Sequence, residues 1–187
     1  MQNVLATVAN IINRINAALG KVVSYATIAM AIVMFGIVVL RYGFSLGWIA
    51  MQESVMYLHA AVFLLGSAFT YQQNAHVRVD VFYRQYSKRK QAMVNLLGSL
   101  VFMLPVSLYI GIICFDYVID SWSLLEGSRE PGGLPFVYVL KSFLLIFAIS
   151  MVLQAISEII TNTLRLLGHI SFSEDENALN AKQQEHI

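Results

Sequence analysis

The stretch His76-Val77-Arg78-Val79-Asp80-Val81-Phe82-Tyr83-Arg84, followed after three residues by Lys88-Arg89-Lys90, decides how this chain is read. It is a short basic segment between two long apolar runs, and it holds five of the twelve Lys and Arg residues. Clustered Lys and Arg resist translocation across a bilayer, so a loop of this kind marks the cytoplasmic side. The apolar runs extend from it in both directions. Residues 22–40 carry no charge and lie between Lys21 and Arg41, and residues 92–115 are uncharged from Lys90 to Asp116. In 54–75 the one group that titrates near neutral pH is His59, and 136–157 carries only Lys141. Each run meets the roughly 20 residues that a helix needs to cross about 30 Å of hydrocarbon. The composition agrees: 58% apolar and 12% charged, where soluble domains average about 45–50% and about 25%. The expected fold is an all-α integral membrane protein of four transmembrane helices.

Orientation follows from the charges. With the N-terminus inside, the inner segments hold nine of the twelve basic residues, and the outer connections hold Arg41 and Arg129. Both termini are therefore expected in the cytoplasm. The first apolar run is long enough to span and no small-residue cleavage site follows it, so it is expected to stay as the first helix. Cys114 is the single cysteine, which argues against a thiol oxidoreductase. A net charge of +1 gives no reason to expect a nucleic-acid partner.

Residues 1–20 form a segment of their own. Val4, Val8, Ile11, Ile15 and Leu19 recur at helical spacing, while Asn3, Thr7, Asn10, Asn13 and Arg14 fall mostly on the other side. The expected element is an amphipathic helix that lies in the membrane interface or leads into the first span; a solvated extension of that span is the alternative. The four-helix domain then covers 21–168. The outer connection from Arg41 to Glu53 is aromatic (Tyr42, Phe44, Trp48) and suits the headgroup zone. The second outer connection is acidic: Asp116, Asp120, Glu126 and Glu130 stand around Arg129 before Pro131-Gly132-Gly133-Leu134-Pro135, which cannot continue a helix. The third helix is thus expected to run to about Leu125. The polar segment 169–187 is expected to be a disordered cytoplasmic tail.

Few residues offer chemistry. Lys141 is an ammonium within an apolar run, which is costly. It lies close to the outer end of its span, so snorkelling or a structural ion pair is the leading expectation, ahead of a partner contact or a direct role with a solute. His59 lacks a second histidine at its depth for haem and is expected to hydrogen-bond across a helix interface. Glu53 is expected at the start of the second helix, where the macrodipole favours a carboxylate, within reach of Tyr57. His76 and Asp80 have a metal-like spacing but no third ligand. Arg78 and Asp80 suit pairing at the cytoplasmic interface. Small residues of the second span (Ala60, Ala61, Gly66, Ser67, Ala68) permit close helix approach. Gly98 and Pro105 in the third suggest a close contact and a bend. No cofactor, metal site or catalytic constellation is expected.

Three stretches carry a family resemblance: Leu40-Arg41-Tyr42-Gly43-Phe44; Gly66-Ser67-Ala68-Phe69-Thr70-Tyr71 leading to His76-Val77-Arg78-Val79-Asp80; and Ser128-Arg129-Glu130-Pro131-Gly132-Gly133-Leu134-Pro135. Together they resemble the small (Q-type) membrane subunit of tripartite ATP-independent periplasmic (TRAP) transporters, over roughly residues 20–168. Trp48 followed by an acid only at Glu53, together with the Pro-Gly-Gly-Leu-Pro turn, is similar to the branch labelled mannitol/chloroaromatic. The resemblance implies an inner-membrane accessory subunit that braces a large carrier subunit and helps a periplasmic substrate-binding protein dock, for sodium-coupled organic acid uptake. The sodium and substrate sites would then lie in the large subunit. On this reading Arg41, Trp48, Glu53, His76, Arg78, Asp80 and Lys141 are candidate contacts to the other subunit or to membrane lipid. Glu126, Arg129 and Glu130 are candidates for binding-protein docking. The rival readings are a stand-alone small transporter acting as a dimer, which would want a mid-membrane acid, and a membrane enzyme or cytochrome subunit.

Overall fold

A computed structural model describes residues 2–76, 83 and 85–169. Arg78, Asp80 and Arg84 of the basic loop, and the tail from residue 170, lie outside the described residues. Four helices are long and apolar enough to cross a membrane. They are α1 (Gln2–Gly43), α2 (Ile49–Gln72), α3 (Lys88–Ser123) and α4 (Val137–Leu166). Helix α4 is the hub, packing against α1, α2 and α3, while the other close pairs are sequence neighbours.

The amphipathic segment and the first span form one unbroken helix of 42 residues, about 63 Å long. Val4, Val8, Ile11 and Ile15 face outward, and so do Asn3, Thr7, Asn10 and Arg14, whereas Ala9, Ile12 and Asn16 are buried. Of the polar residues, Asn13 and Asn16 turn inward, against α4. Asn16 Nδ2 donates to Gln154 Oε1 at 2.8 Å, and Ser157 Oγ donates to Asn13 Oδ1 at 2.9 Å. From α2, Gln72 Nε2 donates to the Asn13 carbonyl at 3.1 Å. Gln154 is 1% exposed. This neutral network ties three helices together at the basic-loop end of the bundle.

Helix α3 contains the expected irregularity. Pro105 has no N–H, and its ring would strike the carbonyl four residues earlier. The chain answers with a π-turn over Ser99–Met103, in which the Leu104 N–H bonds the Ser99 carbonyl; such turns are a recognised way to take up a helix defect. Gly98 departs from expectation: a Cβ there would meet nothing within 4 Å, so it makes no close contact. The close approaches are elsewhere. A Cβ on Gly20 would overlap the Phe69 side chain, and one on Gly111 would lie 3.3 Å from Ala148 Cβ.

All four helices share a termination. The residue past the cap takes a positive φ, and the following N–H reaches back to a carbonyl of the last turn. Ser45 does this for α1, Asn74 for α2, Leu125 for α3 and Gly168 for α4. Asn and Gly adopt this geometry readily, but leucine does not. Its reason at Leu125 lies in the next residue, Glu126.

Because Phe69 Cβ and Cγ stand where a Gly20 side chain would go, Gly20→Val should push α1 from α2 at a cost of about 1–3 kcal/mol. Thermal unfolding in detergent should show the loss for Gly20→Val, and the double variant with Phe69→Ala should recover part of it. Equal melting for Gly20→Val and the unmodified protein would contradict the packing described.

Candidate functional site

At the end of the bundle opposite the basic loop, the turn from Leu124 to Phe136 is held by two carboxylates. Glu53, in the second turn of α2, accepts from Ser128 Oγ and, at 2.6 Å, from the Leu134 N–H. The turn is further closed by Ser128 N–H to the Leu134 carbonyl and Gly133 N–H to the Glu130 carbonyl, both at 3.0 Å. The two glycines are required for separate reasons. Gly132 has φ +82°, and a Cβ on Gly133 would overlap the Ser128 hydroxyl and sit 2.8 Å from Glu53 Oε1. The Ser128–Pro135 motif is thus a folded cap clamped onto α2. Glu53 does not bond Tyr57 as the sequence suggested; Tyr57 OH is buried with no hydrogen-bond partner among the described residues.

The second carboxylate is Glu126. The strained Leu125 sends it back over α3, where Ser121 Oγ donates to its Oε2 at 2.7 Å. Lys141 Nζ donates to the same oxygen as an ion pair. The ammonium also sits 3.8 Å from the centroid of the Tyr117 ring. Lys141 thus takes the structural ion pair. The hydrogen bond from Lys141, supported by that from Ser121, holds the Glu126 carboxyl below the usual carboxylate range. Beside it, Trp122 Nε1 donates to Ser142 Oγ at 2.8 Å, and its ring stands edge-on to Tyr138 with centroids 4.7 Å apart.

The remaining sequence candidates are spread out. Arg41 lies exposed in the last turn of α1, and Trp48 caps α2 with its side chain 62% exposed. His76 Nε2 lies 3.2 Å from the Ser67 carbonyl at the basic-loop end, its ring 5.8 Å from that of Tyr71. Of the three docking candidates, Glu126 is committed within the chain, while Arg129 and Glu130 are exposed on the clamped turn. Among the described residues His59 makes no hydrogen bond across a helix interface; it faces outward, its ring tilted 43° against that of Phe63, one turn along its own helix, with centroids 4.6 Å apart. The sequence reading missed the Asn13, Asn16, Gln154 and Ser157 network. The available signal was Gln154 and Ser157 at helical spacing within an apolar run.

Four spanning helices joined by interhelical hydrogen bonds and carrying a clamped turn at one end define a multi-pass membrane component. Residues 30–165 match the family described as "Tripartite ATP-independent periplasmic transporters, DctQ component". The chain belongs to that family, a family of transporter components, and is a multi-pass inner-membrane protein. It is similar to a protein of Haemophilus influenzae named "Putative TRAP transporter small permease protein", with 28% identity over 120 residues, 64% of this chain and 74% of that protein. No solved structure matches the chain.

Two measurements check the clamp. Glu53→Ala strands the Ser128 hydroxyl and the Leu134 N–H, about 1–3 kcal/mol for each buried group left unpaired. Limited proteolysis should therefore cut the 124–136 turn faster in that variant than in the unmodified protein. For Glu126, a folded-state pKa below the unfolded value means that the stabilisation is complete above the ordinary carboxylate pKa of about 4.3 and is lost as pH falls through the lower folded value. The difference in melting temperature between the unmodified protein and Glu126→Gln should thus stay constant from about pH 8 to pH 5 and shrink below about pH 4. A difference that already shrinks at pH 6 would contradict the assignment.

Proposed function

We propose that this chain is the small accessory permease subunit of a TRAP transporter. It braces the large carrier subunit in the membrane and contributes to the face on which a periplasmic substrate-binding protein docks, for sodium-coupled uptake of organic acids. The observation that carries this reading is where the polar groups go. The Asn16–Gln154 network and the Lys141–Glu126 pair are used to hold helices together, while long apolar stripes of α1 and α3, including Phe35 and Ile112, are left on the outside. Such a surface suits lipid and neighbouring helices better than it suits a solute path.

Two parts of the reading concern the ends of the bundle. The density of Lys and Arg between α2 and α3 supports a cytoplasmic location for that end and for both termini. The clamped turn then faces the periplasm, where Arg129 and Glu130 are the exposed charges of a rigid loop. Docking through them would act mainly on encounter rate and register, and would weaken with salt. Glu126, already paired with Lys141, is better assigned to shaping the loop than to touching the partner.

Reconstitution of this chain with its large subunit and binding protein should give organic acid uptake, and the chain alone should give none; saturable uptake by the chain alone would overturn the proposal. In the complete system, Arg129→Glu with Glu130→Lys should lower uptake at limiting binding protein, with partial rescue by excess. A cysteine replacing Ser87 should react with impermeant reagents only from the cytoplasmic side.

A further inference from the structure

Helices α2 and α3 pack on α4 rather than on each other, and toward the basic-loop end they leave a groove of about 620 Å³ between them. Its polar lining is gathered at that end: Tyr71 and Asn74 from the close of α2, Tyr83, and Asn95 near the start of α3. Its apolar lining runs from there toward the middle of the bundle, with Phe102, Val106 and Ile110 on α3 and Phe147 on α4. The opening has a local cause. Gly98 lines the groove, and a Cβ there would meet nothing within 4 Å. The π-turn Ser99–Met103 follows it directly, and such turns are frequent at functional sites.

The dimensions point to the occupant. Along α3 the helical rise puts Ile110 about 22 Å from Asn95, and the helix end at Ser123 about 42 Å from it. A bilayer with both headgroup zones measures about 40–45 Å, so the groove covers one leaflet and stops near the midplane. A spanning helix has no reason to stop there, and a small polar solute has no use for the apolar length. A phospholipid has both parts in this order. Donors are available at the polar end. Tyr83 OH donates to Asn95 Oδ1 at 3.1 Å, which leaves the Asn95 Nδ2 donors without a partner among the described residues. Tyr71 OH lies 3.5 Å from Ser99 Oγ, longer than an ordinary hydroxyl hydrogen bond, so it too can take up another acceptor. Lys88, Arg89 and Lys90 open α3 just beyond this end, and the one carboxylate of the described lining, Glu158, accepts from Asn162 Nδ2 at 3.0 Å on its own helix. With basic and acidic groups both at hand, a zwitterionic headgroup is the electrostatic complement. We infer that one zwitterionic phospholipid, from the leaflet on the basic-loop side, is held in this groove. Its phosphate accepts from Asn95 and Tyr71, and an acyl chain lies along Phe102, Val106, Ile110 and Phe147. The lipid thereby joins α2 to α3. Such a site needs no partner subunit.

The test uses the full chain, purified from membranes in mild detergent and read by native mass spectrometry. The unmodified chain should keep one phospholipid after detergent washing has removed the rest. Gly98→Phe fills the groove from a position where an added Cβ strikes nothing, and should abolish that retention. Asn95→Leu removes donors to the phosphate and should weaken binding by about tenfold or more. Phe35→Leu, on the outward face of α1, should leave retention unchanged. Added phosphatidylethanolamine should raise the melting temperature of the unmodified chain and of Phe35→Leu but not that of Gly98→Phe, which separates lost binding from lost folding. Phosphatidylglycerol should bind more weakly than phosphatidylethanolamine. A washed unmodified chain that carries no phospholipid, or only detergent or free fatty acid, overturns the site, and so does equal retention by Gly98→Phe. Undiminished binding by Asn95→Leu, or a preference for phosphatidylglycerol, overturns the headgroup assignment.

Discussion

A polar group carried into hydrocarbon must find its partner inside the protein or in another protein. In this chain those partners converge on α4. Near one end of α4, Lys141 receives Glu126 from the turn after α3; near the other, Gln154 and Ser157 receive Asn16 and Asn13 from α1. Helix α4 is therefore the element that the others must reach, and the buried residues are concentrated on it. The hydrophobic effect drives insertion but cannot choose between helix arrangements once the chain is in lipid. The choice falls to these few bonds and to close packing at Gly20 and Gly111.

The two ends use different chemistry for the same purpose. At the basic-loop end the bonds that join α1 to α4 are between neutral amides, hydroxyls and backbone carbonyls, which can be buried without the desolvation cost of ions. At the other end a carboxylate and an ammonium pair where the chain leaves the membrane, with aromatic rings alongside. Leucine at the left-handed position 125 fits this economy. A helix end with that geometry returns the next residue toward the last turn, and the next residue is Glu126. The strain of the leucine is tolerated because it delivers the carboxylate to Ser121 and Lys141 together.

Much of the fold was legible in the sequence because four charge-poor apolar runs of spanning length can hardly be buried in a soluble core of this size. The four helices, the end of α3 near Leu125, the irregularity at Pro105 and the structural pairing of Lys141 were all readable from local chemistry. The misread features depend on contacts distant in sequence. Asn13 was grouped with Asn3, Thr7, Asn10 and Arg14 on the side opposite Val4, Val8 and Ile11; the others stay exposed, but Asn13 is drawn in by Ser157 and Gln72, which no local pattern shows. Glu53 was matched with Tyr57, its neighbour on the helix, although its partners lie more than seventy residues away. With Glu53 clamped by the turn, α2 begins before it, at Ile49.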